Sequence, residues 1–463
     1  MKVSIRDLGV LKQADFEVGN LTVICGENNT GKTYATYALY GFLHYWNSVH
    51  EFDFVNEDDI ISLLQHGELF IKADKNFLDN YVKQASGKVT LNIASFLGSA
   101  EKNFSNASIS VTRKGFTTRE IHDVRTIANT KGETISMKIV KKDADEIVQL
   151  TVKSKSPEIS EENSYGMHFH VNRLIENVLI HDFFPHPFIA SIERTGAVMF
   201  QKELDIRRNQ LLERINEAKS ITNFELLSAV NDARYALPVR HDIDFIRDLE
   251  YSSKFDSAIS KKRPDIVEFF NLMAGGQYVT TKEGTYFSPT KSRMRLAMGE
   301  SASSVRSLLN LGMFIKHLAQ PGSLLMIDEP ELNLHPKNQR MMARLLARLV
   351  NAGIKVYITT HSDYIIREFN TLIMMKSKGQ AAKRIMEKHG YTEDELLDIS
   401  HIKAYRARHE RIDVEGRKSK KLCNVIVPAM VDEQGIEIEE IDDTINRMNE
   451  VQDAVIFCEA NHD

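Results

Sequence analysis

The chain has 463 residues, 42% apolar and 27% charged, the balance of a globular protein with room for several structural units. Its net charge of -5 excludes a globally basic nucleic-acid binder, so "SKKRPD" at 260 and "GRKSKKL" at 416 read as solvated loops and DNA is not an indicated partner. Cys25, Cys423 and Cys458 form neither a disulfide framework nor a zinc spacing, no apolar run is long enough for a membrane span, and "MKVSIRDLGV" lacks an apolar leader core, so the cytoplasm is the expected compartment.

Strand-like runs "KVSIRDL", "ADFEV" and "LTVIC" open the chain, and "VICGENNTGKTYA" (23–35) follows on the last of them. The stretch fits G-x-x-x-x-G-K-[ST], a loop whose backbone N–H groups surround phosphates. Gly26 and Gly31 let the backbone turn, and Asn28 and Asn29 tolerate left-handed geometry. "YATYALYGFLHYW" reads as the helix whose positive end faces the anion. Gly26, Glu27, Asn28, Asn29, Thr30, Gly31, Lys32, Thr33 and Tyr34 are the candidate nucleotide contacts. Lys32 is expected to reach the β- and γ-phosphates and Thr33 to hold Mg²⁺.

Residues 67 to 155 look β-rich, with "ELFIKA", "KVTLNIASF", "ASISVTRKG", "TISMKIVKK" and "EIVQLTVKS" as expected strands. "VNRLIENVLIHDFF" (171–184) reads as a helix and "PFIASIERTGAVMF" (187–200) as a strand running into a turn. From Phe200 to about Asp256 the pattern is helical, with Phe200, Leu204, Leu211, Ile215 and Ala218 on one face, too short for a long coiled-coil arm.

The second half contains "GSLLMIDEPELNLHPKNQ" (322–339), a buried apolar strand ending in Asp328 and Glu329. Two carboxylates at the C-terminal end of such a strand sit where open α/β sheets place ligands. Asp328 is the expected Mg²⁺ ligand and Glu329 the expected general base. "IKVYITTHSDYII" is a further buried strand that ends at His361, from where an imidazole can reach a γ-phosphate.

Together these motifs resemble the ABC-type ATPase heads of the SMC, RecF and OLD class. The resemblance rests on Gly26 to Thr33, "GESASSVRSLLNLG" (299–312), "MIDEPELNLHP" (326–336) and His361, and covers roughly residues 1–45 and 285–375. It comes nearest to the compact AAA ATPases of bacterial anti-phage defence, among them the ATPase subunit of the PARIS system and the head of OLD-type nucleases. It implies an α/β fold: a P-loop NTPase head with a mixed β-sheet and flanking helices, carrying a β-rich part and a helical insertion. The implied divisions are an N-terminal lobe of the head (1–66), a β-rich insertion (67–190), a helical insertion (191–280), a C-terminal lobe (281–375) and an α/β extension (376–463).

The resemblance also implies ATP and Mg²⁺ as cofactors, with ATP hydrolysed by Glu329 and His361. It implies a homo-oligomer in which two or more heads sandwich ATP, with Ser301, Ser303 and Ser304 contacting the partner's nucleotide in trans. This chain departs from the usual signature, which has glycines beside its serine. Gln201, in "IERTGAVMFQKEL", is the candidate for the Q-loop glutamine. As a defence switch the head would control a separately encoded effector from a neighbouring gene, plausibly a nuclease, in response to a phage-encoded trigger. Two alternatives stand beside this one. "AVIFCEANHD" (454–463) resembles the first strand of a Toprim domain with Glu459 as its glutamate, but no Asp-x-Asp follows to complete an OLD-like nuclease site. The other alternative is a RecF- or SMC-like DNA-maintenance ATPase.

Overall fold

The computed structural model describes residues 1–48, 54–66, 68–72, 75–113, 121–128, 134–141, 147–154, 168, 171–173, 175, 183–201, 203, 206, 235–413, 420–437 and 447–456. Most of the expected helix at 171–184, most of the expected helical run between 200 and 235, and Glu459 lie outside them. By internal packing the chain divides into two compact units. One comprises Met1, Phe42–Val89 and Ser110–His186, the other Lys2–Gly41, Thr90–Ile109 and Pro187–Asp463.

In chain order the strands are β1 (Lys2–Leu8), β2 (Leu11–Glu17), β3 (Leu21–Gly26), β4 (Glu68–Lys72), β5 (Ser108–Thr112), β6 (Ile121–Ala128), β7 (Thr134–Lys141), β8 (Ile147–Ser154) and β9 (Pro187–Ala190). They continue as β10 (Gly276–Thr281), β11 (Gly284–Pro289), β12 (Leu296–Ala297), β13 (Leu324–Asp328), β14 (Lys355–Thr360), β15 (Ile402–Ile412) and β16 (Lys421–Pro428). A nine-stranded mixed sheet, in the order β5-β1-β2-β16-β15-β3-β14-β13-β9, is the frame of the larger unit. Its centre is parallel: β9 with β13, β13 with β14, β14 with β3, and β3 with β15. Every residue of β13 is buried, as are the last five of β14, which is why both read as continuous apolar runs.

Register brings the strand ends level. Asp328 lies opposite Thr359, Thr360 opposite Cys25, and Gly26 opposite Ala407. The segment beyond 376 supplies β15 and β16, which lie between β3 and β2, so the sheet's spatial order departs from chain order beside the phosphate loop. Helix Pro336–Asn351 packs behind β14, and its Arg344 and Arg348 converge on Glu395, whose side chain is fully buried. Both guanidinium groups hydrogen-bond this carboxylate, which is how a buried acid stays paired.

The smaller unit holds an antiparallel sheet in the order β4-β8-β7-β6 and helix Glu57–His66. Trp46, the chain's one tryptophan, stacks edge-on against Phe184 and Tyr81 at centroid distances of 4.7 and 5.1 Å. "KVTLNIASF", expected as a strand, is the end of a helix running Lys75–Phe96. Its β-branched residues suggested a strand, but Val82, Ala85, Val89 and Ile93 recur at helical spacing and are all buried.

Candidate nucleotide-binding site

The loop Gly26–Thr33 joins β3 to helix Lys32–Ser48. Gly26 has φ 142° and Gly31 φ 98°, a region open to glycine and closed to most side chains. A Cβ on Gly26 would lie 2.1 Å from the Ala407 carbonyl oxygen, so β15 presses the loop into shape. Asn29 sits at φ 63°, and its carbonyl accepts from Asn424 of β16 at 3.2 Å. Thr30 is buried and donates to the Glu27 carbonyl at 2.7 Å, while Glu27 and Asn28 are exposed. Tyr34 packs on Phe104, 6.1 Å between centroids.

Lys32 is 6% exposed, and its Nζ donates to the carbonyls of Gly26 and Glu27 at 2.8 and 2.7 Å. The ammonium is thereby held inside the curl of the loop. Burial lowers its pKa, opposed by the carboxylates of Glu329, Asp328 and Glu331. Those three acids come from the end of β13 and the turn after it, so the structure brings together the two motifs that lie about 300 residues apart in sequence.

Asp328 is 1% exposed, and burial pushes its pKa up to about 6 against the hydroxyls of Thr359 and Thr33, which lower it. Its Oδ1 accepts from Thr359, and its Oδ2 has no hydrogen-bond partner among the described residues. An orphaned buried carboxylate oxygen beside a threonine hydroxyl is a donor set suited to a hard oxygen-seeking cation such as Mg²⁺. Among the described residues no group of three or more His, Cys, Asp and Glu side chains is arranged to hold a metal.

Glu329 occupies φ 52°, an uncommon conformation for a residue with a side chain. Its amide donates to the Thr359 carbonyl at 3.1 Å, and its Oε1 lies 3.5 Å from His361 Nδ1. The hydrogen bond to His361 holds Glu329 below the usual carboxylate range, and the same bond raises the His361 imidazole. His361 follows β14 directly. It precedes Ser362, whose hydroxyl caps helix Asp363–Lys378 by accepting from the Ile365 amide at 3.3 Å.

Glu331 escaped the sequence reading. It is buried, and its Oε1 accepts from the His361 amide and the Thr360 hydroxyl, both at 2.8 Å, while lying 3.3 Å from His361 Nδ1. A second carboxylate two residues past Glu329, across Pro330, was the available signal. Arg194 escaped as well. It is 2% exposed and donates only to backbone carbonyls, which carry no sequence mark.

The signature stretch forms helix Ser303–Met313. Ser301 is buried and donates to the Ala297 carbonyl at 2.9 Å, whereas Ser303 is exposed and Ser304 half-buried. The residue before the helix is Ala302, so no side chain caps its first N–H groups. Gln201 is half-buried in the helical stretch that begins at Arg194. Arg194 joins the β13 end through its bonds to the Asp328 and Glu329 carbonyls.

Beneath the signature helix lies Asp242, 1% exposed. It accepts from the Ser191 amide at 3.0 Å and from Asn310 Nδ2 at 2.5 Å. Arg194, Tyr37 and Tyr40 also face it, but the four Arg194 hydrogen bonds go to carbonyls, so burial wins and pushes Asp242 up to about 7. An acid raised from 3.8 to about 7 binds more protons folded than unfolded between those values, so stability falls as pH rises through that window. Unfolding free energies from urea titrations between pH 4 and 8 should decline in the wild type, with Asp242 contributing at most about 1.4 kcal/mol per pH unit. Asp242→Asn keeps the hydrogen-bonding capacity without the charge, and its decline should be shallower. Equal slopes would mean that Asp242 stays ionised throughout.

The loop after β3, the buried Asp328, Glu329 and His361 meet at the C-terminal edge of a mixed sheet with flanking helices, an α/β architecture of the P-loop ATPase kind. The chain belongs to the AAA ATPase domain family, whose sequence profile matches residues 1–366. No curated protein matches the sequence. Similar solved structures include an SMC head bound to the C-terminal winged-helix domain of ScpA, at 9% identity and a TM-score of 0.35, covering 93% of this chain and 98% of that one. The SMC head domain from Thermotoga maritima matches at 12% identity and a TM-score of 0.27, covering 93% and 98%. An SMC head with an extended coiled coil, bound to the C-terminal domain of ScpA and derived from Pyrococcus furiosus, matches at 12% identity and a TM-score of 0.31, covering 97% and 98%. Among the described residues no helix is long and apolar enough to cross a membrane.

Proposed function

We propose that this chain binds ATP with Mg²⁺ at Gly26–Thr33 and hydrolyses it, using the cycle as a switch. The observation that carries the reading is the convergence of Lys32, Asp328, Glu329 and His361 on one strand-end edge. Bound ATP supplies the phosphoanhydride. Lys32 exchanges its two loop carbonyls for the β- and γ-phosphate oxygens, and Thr33 and Asp328 hold the cation. Glu329, kept ionised by His361, takes the proton from the attacking water. His361, its backbone fixed by Glu331, places an imidazole toward the γ-phosphate. Gln201 is the candidate second polar contact from the segment after β9.

The switch reading adds a second copy. The uncapped first turn of the signature helix and the exposed Ser303 offer N–H groups and a hydroxyl to the partner's nucleotide, with Ser304 beside them and Ser301 shaping the turn. Closure of the sandwich would then restrain or release a separately encoded effector, plausibly a nuclease of an anti-phage system, on a phage-derived trigger.

The test is ATP-dependent assembly, followed by light scattering on Glu329→Gln protein to suppress turnover. Adding ATP should double the mass, and adding Ser303→Arg should abolish the doubling while each head still binds ATP. Assembly that ignores both ATP and Ser303→Arg would remove the sandwich. The isolated wild-type chain should cleave neither DNA nor tRNA with Mg²⁺ or Mn²⁺, and cutting lost in Glu459→Ala would restore the nuclease alternative.

A further inference from the structure

Arg194 lies where three segments of the head meet: the turn after β9, the signature helix and the turn after β13. Its Nη1 donates to the Ser191 and Asp328 carbonyls, both at 2.7 Å, its Nη2 to the Glu329 carbonyl at 2.7 Å, and its Nε to the Ser307 carbonyl at 3.0 Å. Four of the five N–H groups of a guanidinium are thus spent on backbone. The group is planar and rigid, so these bonds fix positions as well as energy. One of them holds the carbonyl of Glu329, whose backbone stands at φ 52° and needs external support to stay there. The signature helix is tied a second time, through Asn310 to Asp242 and from Asp242 to the Ser191 amide.

We infer that Arg194 is a positioning residue that links the signature helix to the turn bearing the hydrolytic glutamate, so that a displacement of Ser303–Met313 is felt at Glu329 within the same chain. The inference rests on the ATPase reading above and extends it. The helix that would touch one nucleotide is mechanically joined to the base that acts on the other, which couples the two sites of a sandwich. Lysine in place of arginine keeps a buried cation but presents a point charge in place of a fork and cannot hold the three segments together.

The experiment has two arms. In the first, Arg194→Lys is compared with wild type in ATP hydrolysis. The link predicts kcat lowered at least about tenfold, as for a displaced catalytic group, with KM for ATP changed much less. It also predicts a Hill coefficient that falls toward one where the wild type shows cooperativity. A folded Arg194→Lys chain with wild-type kcat, or one whose loss lies in KM alone, overturns the link. The second arm needs no change at Arg194 and decides the matter if that variant fails to fold. Glu329→Gln/Ser303→Arg protein holds ATP without a trans contact, and amide hydrogen exchange is followed at 303–310 and 328–332. ATP should slow both segments together. Protection confined to 328–332 overturns the link, whereas failure of this protein to bind ATP at all defeats the ATPase reading itself.

Discussion

Glu329→Gln should leave ATP binding intact and slow hydrolysis by roughly 10²–10⁴, the range for a lost general base. The amide has the shape of the carboxylate but cannot accept a proton from water. The proposed cation ligands Asp328 and Thr33 are untouched, and so is the Glu331 bond that fixes the His361 backbone. His361 loses the partner that raises its pKa most, so its titration should move down toward the ordinary 6.5. Phosphate release measured in single turnover separates the chemical step from binding. A variant with wild-type turnover would assign the base elsewhere, with Glu331 the nearest carboxylate on the same turn.

Lys32→Ala should lower ATP affinity by about tenfold to a hundredfold, equivalent to roughly 1.5–3 kcal/mol for a lost charge-assisted contact. The side chain is buried in the curl of the loop, and the other cation beside Asp328, Arg194, gives all of its hydrogen bonds to carbonyls. The charge is therefore not replaced by a neighbour. Removing it also releases the carbonyls of Gly26 and Glu27, which then turn to solvent at the exposed side of the loop. Titration with a slowly hydrolysed ATP analogue reads the effect directly, and unchanged affinity would withdraw the phosphate-loop assignment.

Much of the candidate site was legible because its constraints are local. A loop that needs glycine at φ 142° and again at φ 98° writes itself into five residues of spacing. A strand buried on both faces writes itself as an apolar run that stops at Asp328. Thr359 and Thr360 end the neighbouring strand, so His361 could be placed just past a strand end from sequence alone. What stayed hidden was long-range or carried by backbone. Nothing local in Ile402–Ile412 says that it pairs with β3 and confines Gly26. Arg194 bonds only carbonyls, which every residue has, so no partner identity betrays it. Lys75–Phe96 was misread in part because Val, Thr and Ile favour strands intrinsically, a preference that burial of one helical face overrode. The uncapped signature helix is a fourth case: Ala302 in place of a serine or aspartate becomes meaningful only once the helix start is known.

The central claim is that one ATP binds per chain at Gly26–Thr33 and is held by Lys32. Equilibrium dialysis of radiolabelled ATP with Mg²⁺ against Glu329→Gln protein tests it most directly, because that chain should bind the nucleotide without consuming it. The account predicts saturation at one ATP per chain and, in the Lys32→Ala/Glu329→Gln double variant, a dissociation constant at least about tenfold higher. No saturable binding, or equal binding by the two proteins, would contradict it.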